Sequence, residues 1–315
     1  MSKIQEALKQ IKLHQRTESL EPTVPDLAKL VPPGEQRAGS LKELAAGNPP
    51  VRIDVDALRE EHLIVPQEDW QLLSSQLREI KRPLLGHAFG KRATKIEDGN
   101  FVMITSALAG EGKTFISLNL ALSITHERDH AVLLIDNDVL KPRLTQAFDA
   151  TERVGLLDYL ENPELELGSI VYPTSVQGLY FVPAGEPRMN STELLSGSRM
   201  DGLVDQLRYQ ADGQVVLFDA PPVLETTEAK VVGALVGQIV LVVRADKTPQ
   251  SAVVTALSVL GSAKPVNLLL NQMSSRSLQS RYAYGLVYRE YYPDPQGADT
   301  LHALPAVARP QWSNE

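Results

Sequence analysis

The fold of this 315-residue chain is decided by the stretch Ser106-Ala107-Leu108-Ala109-Gly110-Glu111-Gly112-Lys113-Thr114. The five residues before it, 101–105, are apolar or β-branched and predict a buried strand, and apolar residues after it recur at helical spacing. A small-residue loop between a strand and a helix is typical of a phosphate-binding loop, whereas an ordinary glycine-rich turn is the simpler alternative. We therefore expect a nucleoside triphosphate to bind here.

Several residues of this loop predict a specific contact with the nucleotide. Gly110 and Gly112 allow backbone N–H groups to crowd around an anion, and the helix N-terminus adds partial positive charge. The Lys113 ammonium can reach the outer phosphates, and the Thr114 hydroxyl can bind Mg²⁺. Ala107 stands where the usual motif has its first glycine. The predicted nucleotide-binding residues of the loop are Gly110, Glu111, Gly112, Lys113, Thr114 and Phe115.

Composition limits the classes of function. The formal net charge is −8, which argues against a general nucleic-acid-binding surface. The sequence has no cysteine, so disulfides and thiol chemistry are excluded. No apolar run approaches the roughly 18 residues that a membrane span needs. We therefore expect a cytoplasmic, soluble chain whose association with a membrane depends on a partner protein.

Downstream of the loop, apolar runs alternate with helix-like segments. This alternation predicts an α/β fold with a mostly parallel sheet and helices on both faces, as in a P-loop NTPase. The predicted strands after the loop are 132–135, 179–182, 215–218, 239–243 and 266–270, and the predicted helices are 192–209, 225–236 and 249–260.

The chain divides into three predicted regions. Residues 1–68 form an N-terminal helix and a proline-rich linker that stays unpacked as far as Pro50. Residues 69–273 form the P-loop domain, which begins with a helix that ends at Pro83. Residues 274–315 form a flexible tail.

Carboxylates follow two of the predicted strands directly. Asp136 and Asp138 follow the apolar run 132–135, and Asp219 follows the apolar run 215–218. A carboxylate at the end of a buried strand either caps a helix or serves an ion. Because Mg²⁺ bound to a nucleotide needs oxygen ligands, a neighbouring phosphate loop favours the second interpretation.

Together these three motifs resemble the Walker A, Walker A′ and Walker B elements of bacterial tyrosine kinases (BY-kinases). The A′ resemblance lies in residues 135–142, Ile-Asp-Asn-Asp-Val-Leu-Lys-Pro, and residues 183–185 and 192–195 also resemble the family. The chain is most similar to the stand-alone cytoplasmic form associated with exosortase-type exopolysaccharide loci. Two departures accompany the likeness: Ser75, Arg78 and Lys81 stand at the positions of the family's Glu-x2-Arg-x2-Arg assembly motif, so that Ser75 and Lys81 differ from it, and Leu140 replaces an Arg. Leu108 stands where ParA/MinD-type ATPases carry a signature Lys, and the absence of that Lys favours the kinase.

The resemblance implies roles for individual residues. It implies ATP and Mg²⁺ as cofactors, with metal ligands among Thr114, Asp136 and Asp219, and catalysis by Lys113, Asp136, Asp138 and Asp219. Either Asp138 or Asp136 would accept the tyrosine proton. Asn271, which ends the last predicted strand, matches a position that contacts adenine in this superfamily, although a strand-end turn residue is nearly as plausible.

A tyrosine cluster marks the tail. Five of the nine tyrosines fall within eleven residues: Tyr282, Tyr284, Tyr288, Tyr291 and Tyr292. An aromatic segment that adheres to a partner is one interpretation. The family resemblance implies that the cluster is the phosphoacceptor, modified by a neighbouring subunit of a homo-oligomer.

The resemblance also implies partners and leaves alternatives. A membrane-embedded chain-length determinant or polysaccharide co-polymerase is the expected partner, and a tyrosine phosphatase is a further one. The predicted function is autophosphorylation that regulates exopolysaccharide biosynthesis, with the chain peripheral to the inner membrane. A ParA/MinD-like ATPase switch and a nucleotide-binding regulator without catalysis are the alternatives.

Overall fold

A buried sheet lies at the centre of the protein. The computed structural model describes residues 39–66, 69–91, 94–126, 130–211 and 213–273. In these residues the strand order is β3-β4-β2-β5-β1-β6-β7, and only β3 runs antiparallel to its neighbour. The strands are β1 (Phe101–Ser106), β2 (Val132–Asp136), β3 (Tyr172–Pro173), β4 (Leu179–Val182), β5 (Val215–Asp219), β6 (Gln238–Arg244) and β7 (Val266–Asn271). This arrangement confirms the predicted α/β fold.

Helices cover both faces of the sheet. Alternate residues of β1 show this, because Val102 and Ile104 pack in one hydrophobic cluster and Phe101 and Met103 in another. The helices are α1 (Gly39–Leu44), α2 (Val55–Glu60), α3 (Trp70–Phe89), α4 (Lys113–Thr125), α5 (Arg143–Ala147), α6 (Leu156–Glu161), α7 (Ser191–Leu195), α8 (Ser198–Gln210), α9 (Glu228–Leu235) and α10 (Gln250–Leu260). Helices α3 and α4 contribute to the first cluster, and α6 and α8 to the second. Among the described residues, no helix is long and apolar enough to cross a membrane.

Residues 41–65, the segment before the phosphate loop, are packed against the rest of the protein rather than extended into solvent. Leu41 and Leu58 are fully buried, and Val51 is 1% exposed. The Val51 N–H donates to the carbonyl oxygen of Pro173 at 2.8 Å, and Val51 forms an isolated parallel bridge with Thr174. The prediction of an unpacked linker as far as Pro50 is wrong for residues 41–50, because Leu41 and Ala45 are buried in the second hydrophobic cluster. The predicted helix near residue 4 lies outside the described residues.

Two predicted helix boundaries are also corrected. Helix α3 continues through Pro83 to Phe89. Proline removes one helical hydrogen bond, but burial of Ile80 and Leu84 on the same helix outweighs that loss. The predicted helix 192–209 is two helices, α7 and α8, which are separated at Ser196 and Gly197. Helices α1, α2, α5 and α6 and the short strand β3 were not predicted from the sequence.

Candidate functional site

The phosphate loop connects β1 to α4. Gly110 and Gly112 have φ angles of 76° and 92°, in the left-handed region that favours glycine. Gly112 caps α4, and a Cβ atom there would lie 2.2 Å from Nδ2 of Asn271. Since Lys113, Thr114 and Phe115 form the first turn of α4, their N–H groups lack helical partners and define an anion-binding end.

A buried carboxylate shapes this loop from inside. Glu111 is 2% exposed, and its Oε2 accepts the Leu108 N–H at 2.9 Å. Its Oε1 accepts the hydroxyl of Thr248, which in turn accepts the Arg244 N–H at 3.2 Å. The Glu111 side chain therefore contacts the protein, and its predicted contribution to a nucleotide is limited to the backbone. Thr248 is a site residue that the sequence analysis missed.

Residues from β7 and from the loop after β5 also contact the phosphate loop. Asn271 Nδ2 donates to the carbonyl oxygen of Glu111 at 2.8 Å, and Asn271 Oδ1 accepts the Gln272 N–H at 2.8 Å. Asn271 therefore contacts the backbone of the phosphate loop, and its predicted contact with adenine stays a prediction. The exposed Glu225 accepts the Ala109 N–H at 2.6 Å and was not predicted.

Lys113 lies among three carboxylates. Its ammonium is 2.6 Å from Oδ2 of Asp138 and 3.9 Å from Oδ2 of Asp219, and it donates to the Thr114 hydroxyl at 3.3 Å. Burial alone would lower the pKa of Lys113, but Asp219, Asp138 and Asp136 together raise it. The ammonium is therefore charged, and its partner in this structure is Asp138.

Asp136 lies at the end of β2, directly beside Asp219 of β5 in the strand register. Its Oδ2 accepts both the N–H and the hydroxyl of Thr145 at 2.8 Å, and its Oδ1 is buried without a hydrogen bond. Burial, followed by the negative charge of Asp219, raises the pKa of Asp136 to about 7. Near neutral pH a substantial fraction of this carboxyl is protonated.

Asp219 has one oxygen satisfied and one open. Its Oδ1 accepts the Ser117 hydroxyl at 2.9 Å, whereas its fully buried Oδ2 has no hydrogen-bond partner. Burial raises the pKa of Asp219, while Lys113 and the Thr114 hydroxyl act in the opposite direction. The open oxygen beside a threonine hydroxyl fits Mg²⁺, which takes few protein ligands and completes its shell with phosphates and water. No cluster of three or more His, Cys, Asp or Glu side chains that could hold a metal ion occurs in the described part of the chain.

The predicted assembly positions differ from one another in exposure. Lys81 is 7% exposed, and its ammonium donates to the carbonyl oxygen of Ser123 at 2.7 Å, so it serves the interior of its own fold. Arg78 donates to the Ser74 hydroxyl at 3.4 Å, and Ser75 donates to the carbonyl oxygen of Leu72. Leu140 is 58% exposed beside Asp138. The five tail tyrosines lie outside the described residues.

These features define a class of protein. The glycine loop, Lys113 and the strand-end carboxylates lie at the carboxyl edge of a parallel sheet, where open α/β folds bind ligands. A strand, such a loop and a helix that starts at the lysine form a phosphate-binding loop, so the protein has the fold and site of a P-loop NTPase.

Comparison with known proteins gives the family. The chain is 33% identical to tyrosine-protein kinase YwqD of Bacillus subtilis over 186 residues, which cover 58% of this chain and 76% of YwqD. It is 33% identical to EpsB of Ralstonia nicotianae over 194 residues, which cover 61% of this chain but only 25% of EpsB. The solved kinase domain of Escherichia coli tyrosine kinase ETK matches with a TM-score of 0.50 and 29% identity, over 58% of this chain and 72% of that domain. No protein-family model matches the chain.

The chain belongs to the bacterial tyrosine kinase family. It spans about a quarter of the length of the longer relatives that it matches, such as EpsB.

Proposed function

We propose that this protein is an ATP-dependent protein-tyrosine kinase that phosphorylates its own C-terminal tyrosine cluster between subunits. One observation carries the proposal: the Lys113 ammonium lies between the Asp138 and Asp219 carboxylates at the open end of a phosphate loop. Such a site can hold a triphosphate, a metal ion and the proton acceptor for a hydroxyl. The family relationship adds tyrosine as the acceptor.

The geometry suggests distinct roles for the residues of the site. Backbone N–H groups of the loop and the Lys113 ammonium would hold the β- and γ-phosphates. Thr114 and Asp219 would hold Mg²⁺, whose chemistry is to neutralise phosphate charge during transfer. In this arrangement, Asp136 is chiefly a buried support, tied to α5 through Thr145.

Asp138 is the better candidate for the proton acceptor. It contacts Lys113 directly, and its Oδ1 accepts the Lys141 N–H at 3.2 Å. In Asp136, burial and the neighbouring Asp219 raise the pKa to about 7, so a substantial fraction of this carboxyl is protonated at neutral pH. A phosphate oxygen that draws Lys113 away would leave the Asp138 carboxylate able to accept the phenolic proton.

The acceptor tail follows the site in the chain. Residue 273 is the last described residue, two residues after Asn271, which contacts the phosphate loop. Residue 282, the first tyrosine of the cluster, is nine residues further on, a distance of at most about 30 Å for an extended chain. A tail that leaves from this edge can present tyrosines to a second subunit. Each phosphate adds about −1.5 to −2 charges, so we expect modification to weaken the homo-oligomer.

The biological setting is a further part of this proposal. We propose regulation of exopolysaccharide biosynthesis with a membrane-embedded co-polymerase as partner and with a tyrosine phosphatase that reverses the modification. The chain would be cytoplasmic and peripheral to the inner membrane. Support comes from the family relationship with proteins such as YwqD and from the described residues, which include no membrane-spanning helix.

Intact-protein mass spectrometry tests the proposal. Wild type incubated with ATP and Mg²⁺ should gain one phosphate mass per modified tyrosine. Lys113→Ala should gain none, and a chain whose five tail tyrosines are replaced by phenylalanine should lose most of the signal. ATP hydrolysis without any gain in mass, also in the presence of a co-expressed membrane partner, would favour the ParA/MinD-like switch. Nucleotide binding without turnover would favour a non-catalytic regulator.

A further inference from the structure

The described tyrosines divide sharply by exposure. Tyr159, Tyr172 and Tyr180 are 3%, 5% and 7% exposed, whereas Tyr209 is 88% exposed. Tyr172 donates its hydroxyl to the carbonyl oxygen of Val154, and the Tyr159 hydroxyl accepts from a neighbouring glutamine amide. Of the tyrosines that the structure describes, Tyr209 alone presents its ring to a second molecule.

Tyr209 lies on the solvent face of α8, next to the last residue of the helix. The opposite face carries Met200, Leu203, Val204 and Leu207, all buried. Asp201 and Asp205 precede Tyr209 at intervals of four residues, so the three side chains form one exposed stripe. The ring of Tyr209 is not buried in its own fold, so its apolar surface is available for contact with another molecule.

The end of α8 can also adapt its backbone. Helix termini fray, and Gly213, three residues after the helix, has a φ angle of 76°. A tyrosine in the final turn can therefore leave helical geometry at low cost, whereas one in mid-helix cannot. This matters because an acceptor hydroxyl must reach phosphates that lie beside the buried groups Lys113 and Asp138.

We propose that Tyr209 is a second acceptor site, phosphorylated by another copy of this chain; the inference rests on the proposed kinase function. The phenolic oxygen forms a bond to the γ-phosphorus of ATP, the bond between that phosphorus and the β–γ bridging oxygen breaks, ADP leaves, and the phenolic proton passes to the kinase's Asp138 or to solvent. Atoms and charge balance without any other reactant.

Transfer to Tyr209 within one chain is excluded by the fold. Helix α8 leads into the amino end of β5 at Val215, whereas the candidate site lies at the carboxyl end of that strand, beyond Asp219. The five residues of β5 separate these edges by about 16 Å of sheet. The tail, by contrast, leaves the sheet at the edge that carries the site. Labelling of Tyr209 must therefore be bimolecular.

A phosphate at Tyr209 would alter its surroundings. It would add negative charge four residues after Asp205 and near the C-terminal end of the α8 dipole, and both effects oppose the last turn of the helix. Asp205 already pairs with Arg208, whose guanidinium also binds Asp98 and the carbonyl oxygen of Leu235. The modified residue thus lies beside a contact that connects α8 to the start of β1 and to the end of α9.

The test uses an acceptor that cannot phosphorylate itself. Full-length Lys113→Ala chain, isotopically heavy, is mixed with light wild-type chain, ATP and Mg²⁺, and the phosphopeptides of the heavy chain are mapped by mass spectrometry. We expect phosphate on Tyr209 and on the tail, a Tyr209 rate proportional to the concentration of wild type, and no phosphate on Tyr159, Tyr172 or Tyr180. Asp138→Asn serves as a second inactive acceptor in case Lys113→Ala fails to fold.

A matched variant tests whether the phosphopeptide signal comes from Tyr209. Tyr209→Phe in the heavy Lys113→Ala chain should abolish the Tyr209 phosphopeptide and leave tail labelling unchanged. Full tail labelling without phosphate on Tyr209 would overturn this inference and retain the proposed kinase. Absence of phosphate from every tyrosine of both chains would overturn both.

Discussion

Replacing Thr248 by valine tests whether the phosphate loop is held in shape from a distance. The Thr248 hydroxyl donates to the buried carboxylate of Glu111, which accepts the Leu108 N–H with its other oxygen. Valine keeps the size of the side chain but removes the hydroxyl. The Glu111 carboxylate, which is 2% exposed, then loses one of its two donors.

The structure sets the size of the effect. A hydrogen bond to a charged group contributes about 1.5–3 kcal/mol. Removing it therefore lowers the stability of this loop conformation by that amount relative to other conformations of the loop. If this conformation is the binding-competent one and is not in large excess over the alternatives in the unperturbed chain, the binding-competent fraction falls by up to about 10- to 100-fold, and the apparent Kd for nucleotide rises by up to the same factor. Turnover of the bound complex should change much less, because Thr248 does not contact Lys113 or the strand-end carboxylates.

Titration with ATP·Mg²⁺ by calorimetry, together with saturation kinetics, measures both quantities. Thr248→Ser, which keeps the hydroxyl, should bind nucleotide within a few-fold of wild type. A folded Thr248→Val chain whose Kd lies within about twofold of the wild-type value would refute the reasoning, because the lost donor would then have no bearing on loop shape. Equal losses in the serine and valine variants would refute it as well.

Three further predictions concern conformation, pH and packing. Gly112→Ala should weaken nucleotide binding, since alanine is strained at the φ of 92° that the loop has there and its Cβ would displace the Asn271 amide, whereas Gly202→Ala, with open space in mid-helix, should bind normally; equal binding by both would contradict the conformational argument. The pKa of Asp136 rises from 3.8 to about 7 on folding, so the protonated carboxyl stabilises the folded state fully below pH 4, and this contribution is lost as the pH rises to 7. In urea unfolding, Asp136→Asn should therefore be more stable relative to wild type at about pH 8 than at about pH 5. An equal difference at both pH values would count against this assignment. Leu58→Ala should lower the free energy of unfolding by about 2–5 kcal/mol, and a loss below about 0.5 kcal/mol would mean that the segment before the phosphate loop is not part of the cooperative fold.

The parts of the site that were predictable are local in sequence. Asp136 and Asp219 follow apolar runs directly, and Gly112 and Lys113 follow one after a six-residue loop, so one short window contains both the strand and the site residue after it. Parallel strands then bring those ends to one edge. Such a pattern locates the site without any knowledge of which strands are neighbours.

The parts that were missed depend on strand order and packing. The contact between Glu111 and Thr248 joins residues 137 positions apart, across loops that only the completed sheet brings together. Asn271 was located correctly at the end of a strand, but its contact with the Glu111 carbonyl could not be derived from that position alone.

Residues 41–50, which precede the phosphate loop, show a second reason why a prediction from the sequence can fail. Proline content predicted a linker as far as Pro50, yet Leu41 and Ala45, four residues apart as on one face of a helix, are both buried. Pro83 likewise predicted a helix end that tertiary burial overrides. Composition and single prolines are weaker signals than apolar periodicity because burial stabilises a segment by several kcal/mol.

The ion pair between Lys113 and Asp138 has a consequence for the charge balance of the pocket. One ammonium faces three carboxyl groups, those of Asp136, Asp138 and Asp219. A bare triphosphate would bring further negative charge to a site where the Lys113 ammonium is already paired with Asp138. Electrostatic neutrality therefore requires the nucleotide and a divalent cation to enter as one unit, so metal-free nucleotide should be excluded by repulsion rather than merely bound without turnover.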